Sequence, residues 1–314
     1  MFRKKREQIK KQVTNAILKI AVKKNLRRKT TFGLLIVLLI YSAFFTGVSA
    51  TPDIINGKIQ SAPMRADVPI WEVGHSVTYN EQYINRAYSA DGTITWLWYH
   101  NCTATYTVTD TRSDIYKIKM TSTNNEGSSL IGPFQVKFTP FTKISAEFLQ
   151  RKTDLAYIRE TYREKGLAFL LVGKLELPIP MQFRTEWGGD YKPISTILPF
   201  PLIEGTQDKM PNYAIDGHMK MSLFRGRFNA VDEDYLFQSG EQNYTIEMEK
   251  VTVPAGTFNT FNVSIESTYG LGNITTWSYY SPDIRWLAKQ NIVMEDENGR
   301  PAWYYKCELI SKSF

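Results

Sequence analysis

Cysteine and histidine are scarce in this sequence. Its 314 residues hold two cysteines, Cys102 and Cys307, and three histidines, His75, His100 and His218. A structural zinc site needs about four closely spaced thiol or imidazole ligands; two cysteines and three scattered histidines provide no such spacing, so no metal is expected. The chain also has no Gly-x-Ser-x-Gly, no His-Glu-x-x-His and no glycine-rich phosphate loop. No cofactor and no catalytic residue follow from its motifs, and the reading leans away from an enzyme.

Charge is missing where it matters most. Residues 32–50, FGLLIVLLIYSAFFTGVSA, run for nineteen positions without a charged side chain. A run of about 20 apolar residues spans a bilayer as a helix. Ahead of it, residues 1–30 carry twelve Lys/Arg against the single acid Glu7. The positive-inside rule keeps that end in the cytoplasm and sends residues 51–314 across. The expectation is a single-pass cell-membrane protein: a basic cytoplasmic segment (1–30), a membrane segment (31–50) and an extracytoplasmic domain (51–314). Two versions stay open. Val48-Ser49-Ala50 suits a signal peptidase, and cleavage after Ala50 would release the domain. Against cleavage stand the long basic segment and the helical spacing of Ile9, Val13, Ala16, Ile17 and Ile20, which reads as an amphipathic element on an anionic membrane surface.

The basic character belongs to that leader. The whole chain is +7, but residues 31–314 hold 26 basic and 30 acidic residues, a net of −4. A mildly acidic domain makes a poor partner for a phosphate backbone, so nucleic acid is not expected.

Period-2 alternation dominates the domain. Cys102, Ala104, Tyr106 and Val108 share one face, opposite Asn101, Thr103, Thr105 and Thr107. The same pattern recurs over 115–120, 244–249 and 261–266, and marks antiparallel strands with one buried face. Turn signals separate the runs: Asp91-Gly92, Asn125-Glu126-Gly127, Gly188-Gly189, Gly270-Leu271-Gly272-Asn273 and Asn298-Gly299. Residues 145–177 are rich in helix formers but fit a 3.6 period poorly, so they read as two strands turning at Thr153-Asp154. The fold class is mainly β: a single strongly curved antiparallel sheet or half-barrel of about ten strands, preceded by one transmembrane helix. Pro-rich stretches at 178–180 and 193–201 connect two halves, 65–177 and 195–314. Their likeness is either a duplicated unit or the ordinary similarity of amphipathic hairpins.

Phe200-Pro201-Leu202-Ile203-Glu204-Gly205, Val253-Pro254-Ala255-Gly256-Thr257-Phe258 and Tyr280-Ser281-Pro282 resemble a family of secreted bacterial and archaeal β proteins, the domain of unknown function 3108. Trp71, Gly74 and Tyr79 echo the opening of related archaeal surface proteins. The family has a glycine and then Val-Lys after the Ser-Pro pair, where this chain has Arg285-Trp286-Leu287-Ala288-Lys289. The resemblance implies a half-barrel like those of lipoprotein carriers, with a lipid or lipoprotein as partner, and it supplies no catalytic residues. The same motifs are also plain turn chemistry: Pro254-Gly256 makes a tight turn and Pro282 ends a strand.

The candidate sites are few. Cys102 and Cys307 lie on apolar strand faces beyond the membrane, which favours a disulfide, with two separate buried thiols as the alternative. Asn101, Asn243, Asn262 and Asn273 head Asn-x-Ser/Thr triplets, either glycosylation sites or the accidental product of Thr-rich strands, and parity turns Asn101 and Asn262 to solvent, where a glycan would fit. Alternation pairs Trp96 with Trp98 and Trp277 with Tyr279. These aromatics form either a sheet core or an apolar trough binding a lipid or isoprenoid tail. Glu186 and Asp190, flanking Trp187, would be the carboxylates of an envelope glycan hydrolase, or merely a polar hairpin tip. A structural surface protein filled by its own side chains is the third reading.

Overall fold

A computed structural model describes residues 63–314, apart from 90, 132–133, 139–141, 173–178, 197, 224–227 and 270–271. The cytoplasmic and membrane segments expected over 1–50 lie outside the described residues. Seventeen strands follow one another: β1 (Arg65–Ala66), β2 (Ser76–Tyr88), β3 (Ile94–Asp110), β4 (Ile115–Ile131), β5 (Phe134–Phe138), β6 (Lys143–Arg151), β7 (Tyr157–Val172), β8 (Ile179–Ser195), β9 (Leu202–Ile203), β10 (Gln207–Met210), β11 (Ala214–Leu223), β12 (Phe228–Gln238), β13 (Gln242–Val253), β14 (Gly256–Tyr269), β15 (Gly272–Ser281), β16 (Trp286–Glu295) and β17 (Pro301–Ser313). There is no helix among the described residues.

Fifteen of these strands form one antiparallel sheet. Its order is β10-β13-β14-β15-β16-β17-β2-β3-β4-β5-β7-β8-β11-β12, and β6 joins β4 to β7 below β5. Strands from both expected halves therefore enter a single sheet, β1 and β9 excepted, through the pairing of β17 with β2 and, by way of β8, of β7 with β11. The strand count exceeds the expected ten, although Phe183, Trp187 and Tyr191 on β8 and Ile215, Met219 and Met221 on β11 alternate with polar residues as the other strands do. The expected pair over 145–177 is present as β6 and β7, turning at Lys152–Asp154.

The sheet is curled but not closed. β12 and β13 stand twelve strand spacings apart in the sheet order, about 58 Å if the sheet were flat. Only residues 239–241 connect them, a reach of about 14 Å. Residues 211–213 similarly tie β10 at one edge to β11 near the other. Both links force the edges toward each other, and the sheet wraps round a core. The tight curl is permitted by glycine. Gly189 pairs with Gly217, and a Cβ on Gly217 would fall 2.5 Å from the Gly188 carbonyl oxygen and 2.5 Å from the Tyr235 ring.

Two signals read as turns lie inside strands. Asn125-Glu126-Gly127 is part of β4, where Asn124 takes a positive φ and the register slips against β3. Gly188-Gly189 is central in β8, because its glycines serve close strand approach instead of chain reversal. Asp91-Gly92 and Asn298-Gly299 do turn the chain, with Gly92 at φ 84° and Gly299 at 71°. Pro254-Ala255 also turns it, and β15 ends at Ser281, before Pro282.

Alternation decides what the curled sheet encloses. On β2, Val77, Tyr79, Glu81, Tyr83 and Asn85 are buried, and the residues between them are not. Two segments cross the enclosed side. Residues 198–202 bring Leu198 and Leu202 against Ile246, Phe261, Val263, Ile265 and Tyr280, pinned where β9 pairs with β1. Trp71 spans the other way. Its backbone N–H donates to the Tyr116 hydroxyl (3.1 Å), its indole N–H to the Arg285 carbonyl (2.8 Å), and its ring stacks on Trp286 at 4.1 Å. Such a stack adds about 1 kcal/mol beyond the area it buries.

Candidate functional site

An acid sits where alternation demands an apolar residue. The run Val77-Thr78-Tyr79-Asn80-Glu81-Gln82-Tyr83 puts Glu81 on the buried face of β2, and it is only 2% exposed. Its neighbours across the ladder are Cys102 on β3 and Cys307 on β17. Three tyrosine hydroxyls donate to the carboxylate: Tyr83 to Oε2 at 2.7 Å, Tyr106 to Oε1 at 2.7 Å and Tyr305 to Oε1 at 3.1 Å. The Cys102 Sγ lies 3.9 Å from Oε2. Burial raises the Glu81 pKa, and the hydrogen bonds from Tyr106, Tyr83, Tyr305 and Cys102 oppose the rise.

This row overturns the disulfide. Both cysteines are free and buried. With Glu81 between them, their backbones stand two strand spacings apart, about 10 Å, beyond the roughly 7 Å a disulfide spans. Sequence parity placed each cysteine on a buried face but did not place a strand between them. Burial, reinforced by the nearby Glu81 charge, raises both thiol pKa values. Neither is a nucleophile.

Above Glu81 lies a partly open cavity of about 90 Å³. Trp71, Tyr79, Tyr106, Phe148, Tyr157, Tyr162, Tyr280, Trp286 and Tyr305 line it, with Glu81, Gln150 and Gln290 as its polar members and Ile118, Leu155, Leu198 and Leu287 among the rest. Several of these are held from behind. The Tyr79 hydroxyl donates to the Leu287 carbonyl at 2.6 Å, and the Gln290 amide donates to Ser278 at 2.8 Å.

Of the aromatics expected to form a sheet core or a trough, Trp98, Trp277 and Tyr279 do not line this cavity. Trp98 is on the enclosed face, stacked near His100 at 6.2 Å. Trp96 lies on the same strand, opposite Ala87 and Ile131. Trp277 and Tyr279 lie on the outer face, half-buried, with Lys289 5.7 Å over the Tyr279 ring. Alternation pairs residues on a face without saying which face is inside. On β15 the inside belongs to Ile274, Thr276, Ser278 and Tyr280.

Two further acids lie on the inner face of β7, Glu160 buried and Glu164 half-buried. Glu160 is fully buried, and burial pushes it up to about 8. The Tyr191 hydroxyl opposes this, but neither carboxyl oxygen meets a partner in full hydrogen-bond geometry. Burial likewise raises Glu164 to about 7. His100 is lowered to about 4 by burial, against Asn125, and is neutral near pH 7. His75 accepts a bond from the Glu72 N–H at 3.1 Å, and His218 lies exposed between Asp232 and Asp234. Among the described residues no cluster of His, Cys, Asp and Glu suits a metal.

Glu186 and Asp190 lie on the outer face of β8, lining an open groove that includes Gly188 and His218. They are not at a hairpin tip. Glu186 pairs with Arg184 at 2.7 Å and Arg163 at 3.3 Å; Asp190 pairs with Arg159 at 2.6 Å. The Arg159 guanidinium holds Asp190 below the usual carboxylate range, whereas a glycosidase acid needs its pKa raised.

The Asn-x-Ser/Thr asparagines also separate. Asn101 donates to the Tyr99 hydroxyl and Asn262 to Glu249 at 3.1 Å, both half-buried on the outer face. Asn243 is half-buried opposite Glu266, and Asn273 is exposed at the start of β15.

Comparison with protein-family models, with curated proteins and with solved structures finds no match for this chain.

Proposed function

We propose that residues 51–314 form a non-enzymatic binding domain outside the cell membrane, held there by residues 31–50, whose curled sheet receives a compact, largely apolar ligand. The aromatic cavity above Glu81 carries this reading. It is the point where strands from both ends of the chain converge, and it joins ring surface to a few fixed polar groups, as ligand sites do. The open, curled antiparallel sheet supports the resemblance to domain of unknown function 3108, with its implied half-barrel. The volume argues for a small ligand or one small group of a larger one, because a long lipid tail needs several hundred Å³. The arginine pairing of Glu186 and Asp190 argues against glycan hydrolysis.

Mass spectrometry of extracts from the full chain, purified in mild detergent, tests the reading. A co-purifying small molecule lost in Leu155→Trp, which fills the cavity while the far-UV spectrum is kept, is the expected result. An empty native protein that also binds no apolar probe would leave a self-filled structural domain. Protease added to intact cells should remove residues 51–314 and spare 1–30; protection of the large domain would overturn its placement.

A further inference from the structure

The cavity wall is electrostatically one-sided. Among the described residues it holds one carboxylate, Glu81, and no lysine, arginine or histidine. The groups that hold Glu81 are neutral hydroxyls, so they disperse its charge without cancelling it. Nine of the seventeen lining residues are aromatic, and a ring face attracts a cation within about 6 Å. An anion here would meet a carboxylate and the negative faces of rings. A neutral apolar guest would leave the buried charge without a counter-ion.

The hydrogen-bonding capacity narrows the choice further. Three tyrosines and a thiol already occupy the acceptor positions of Glu81, so little remains for the three N–H donors of a primary ammonium. One amide acceptor is spare: the Gln150 side chain is 3% exposed, and its Oε1 has no partner. The guest that fits brings a positive charge, an alkylated surface and few N–H groups.

We propose that the cavity binds the tertiary or quaternary ammonium group of a small organic cation, with Glu81 as its counter-charge and rings such as Trp71, Tyr79, Tyr106 and Trp286 as its cage. This rests on reading the cavity as the ligand site. It narrows the ligand from apolar to alkylated ammonium.

Titration calorimetry on the full chain in detergent provides the test, with choline, its uncharged carbon isostere 3,3-dimethylbutan-1-ol, and the anion pivalate as probes. Choline should bind at least ten-fold more tightly than the isostere, and pivalate should not bind. Glu81→Gln should bring choline and the isostere within about two-fold of each other. Equal or tighter binding of the isostere by the native protein overturns the ammonium assignment and leaves the cavity a ligand site. Binding of neither choline nor the isostere overturns both. If Glu81→Gln does not fold, the probe pair on the native protein decides alone. Phosphatidylcholine and phosphatidylglycerol vesicles then separate the sources: selective binding to the first assigns a lipid headgroup, and binding of free choline only assigns a solute.

Discussion

Gln238 and Gln242 are four positions apart in the chain and stand on strands twelve places apart in the sheet. That relationship makes the fold a curled sheet, because no flat arrangement lets three residues join those edges. It also explains why a cavity exists. Curling brings β4, β6 and β7 to face β15, β16 and β17, and the aromatic side chains between them leave a small gap beside Glu81.

The thiols of Cys102 and Cys307 are expected to be separate in protein that has never met a reductant. Alkylation after denaturation without reduction should label both, and alkylation of folded protein should label neither, since both are buried. Mass spectrometry of intact protein reads the count. An unlabelled pair in the denatured sample would contradict the strand order around Glu81.

Stability should fall as pH rises from about 4.5 to 8. Glu160 titrates near 4.5 when exposed and near 8 when folded, so the folded chain binds the proton more tightly than the unfolded one. Stability from this group is complete below about 4.5 and is lost as pH passes 8. Glu164, raised to about 7, adds in the same direction. In urea unfolding, Glu160→Gln should gain about 2 kcal/mol or more over the native chain between pH 5 and pH 8.5. A constant difference across that range would refute the assignment.

Gly217→Ala should destabilise the domain by about 2 kcal/mol or more, the scale of overpacking in a rigid site. The new methyl group would meet the Gly188 carbonyl oxygen and the Tyr235 ring at 2.5 Å. Ser222→Ala on the same strand serves as the control. A urea midpoint unchanged in Gly217→Ala would mean that the close strand approach is not needed for the curl.

The sequence alone determined what depends on neighbours along the chain. Side chains alternate on a strand whatever surrounds it, so the buried rows of β3, β4 and β14 were legible. So were the strands of 145–177, and the turns at Asp91-Gly92 and Asn298-Gly299. The anomalous acid on the apolar row of β2 was also visible in principle, since Glu81 interrupts the run of Val77, Tyr79 and Tyr83.

Only the tertiary structure decided which strand lies beside which. Period 2 is blind to strand order, so it could neither insert β2 between Cys102 and Cys307 nor pair β17 with β2. It was equally blind to which face is inside: Trp277 and Tyr279, expected in a sheet core or an apolar trough, lie on the outer face, and Thr276, Ser278 and Tyr280 lie on the inner one. Glycine carries the same ambiguity: a missing side chain suits a turn and a close crossing alike, and at Gly188-Gly189 the crossing prevailed. Trp71 and Trp286 come from opposite ends of the domain and stack at 4.1 Å. Their meeting, and the cavity they cover, follows from the curl that the two short edge links impose.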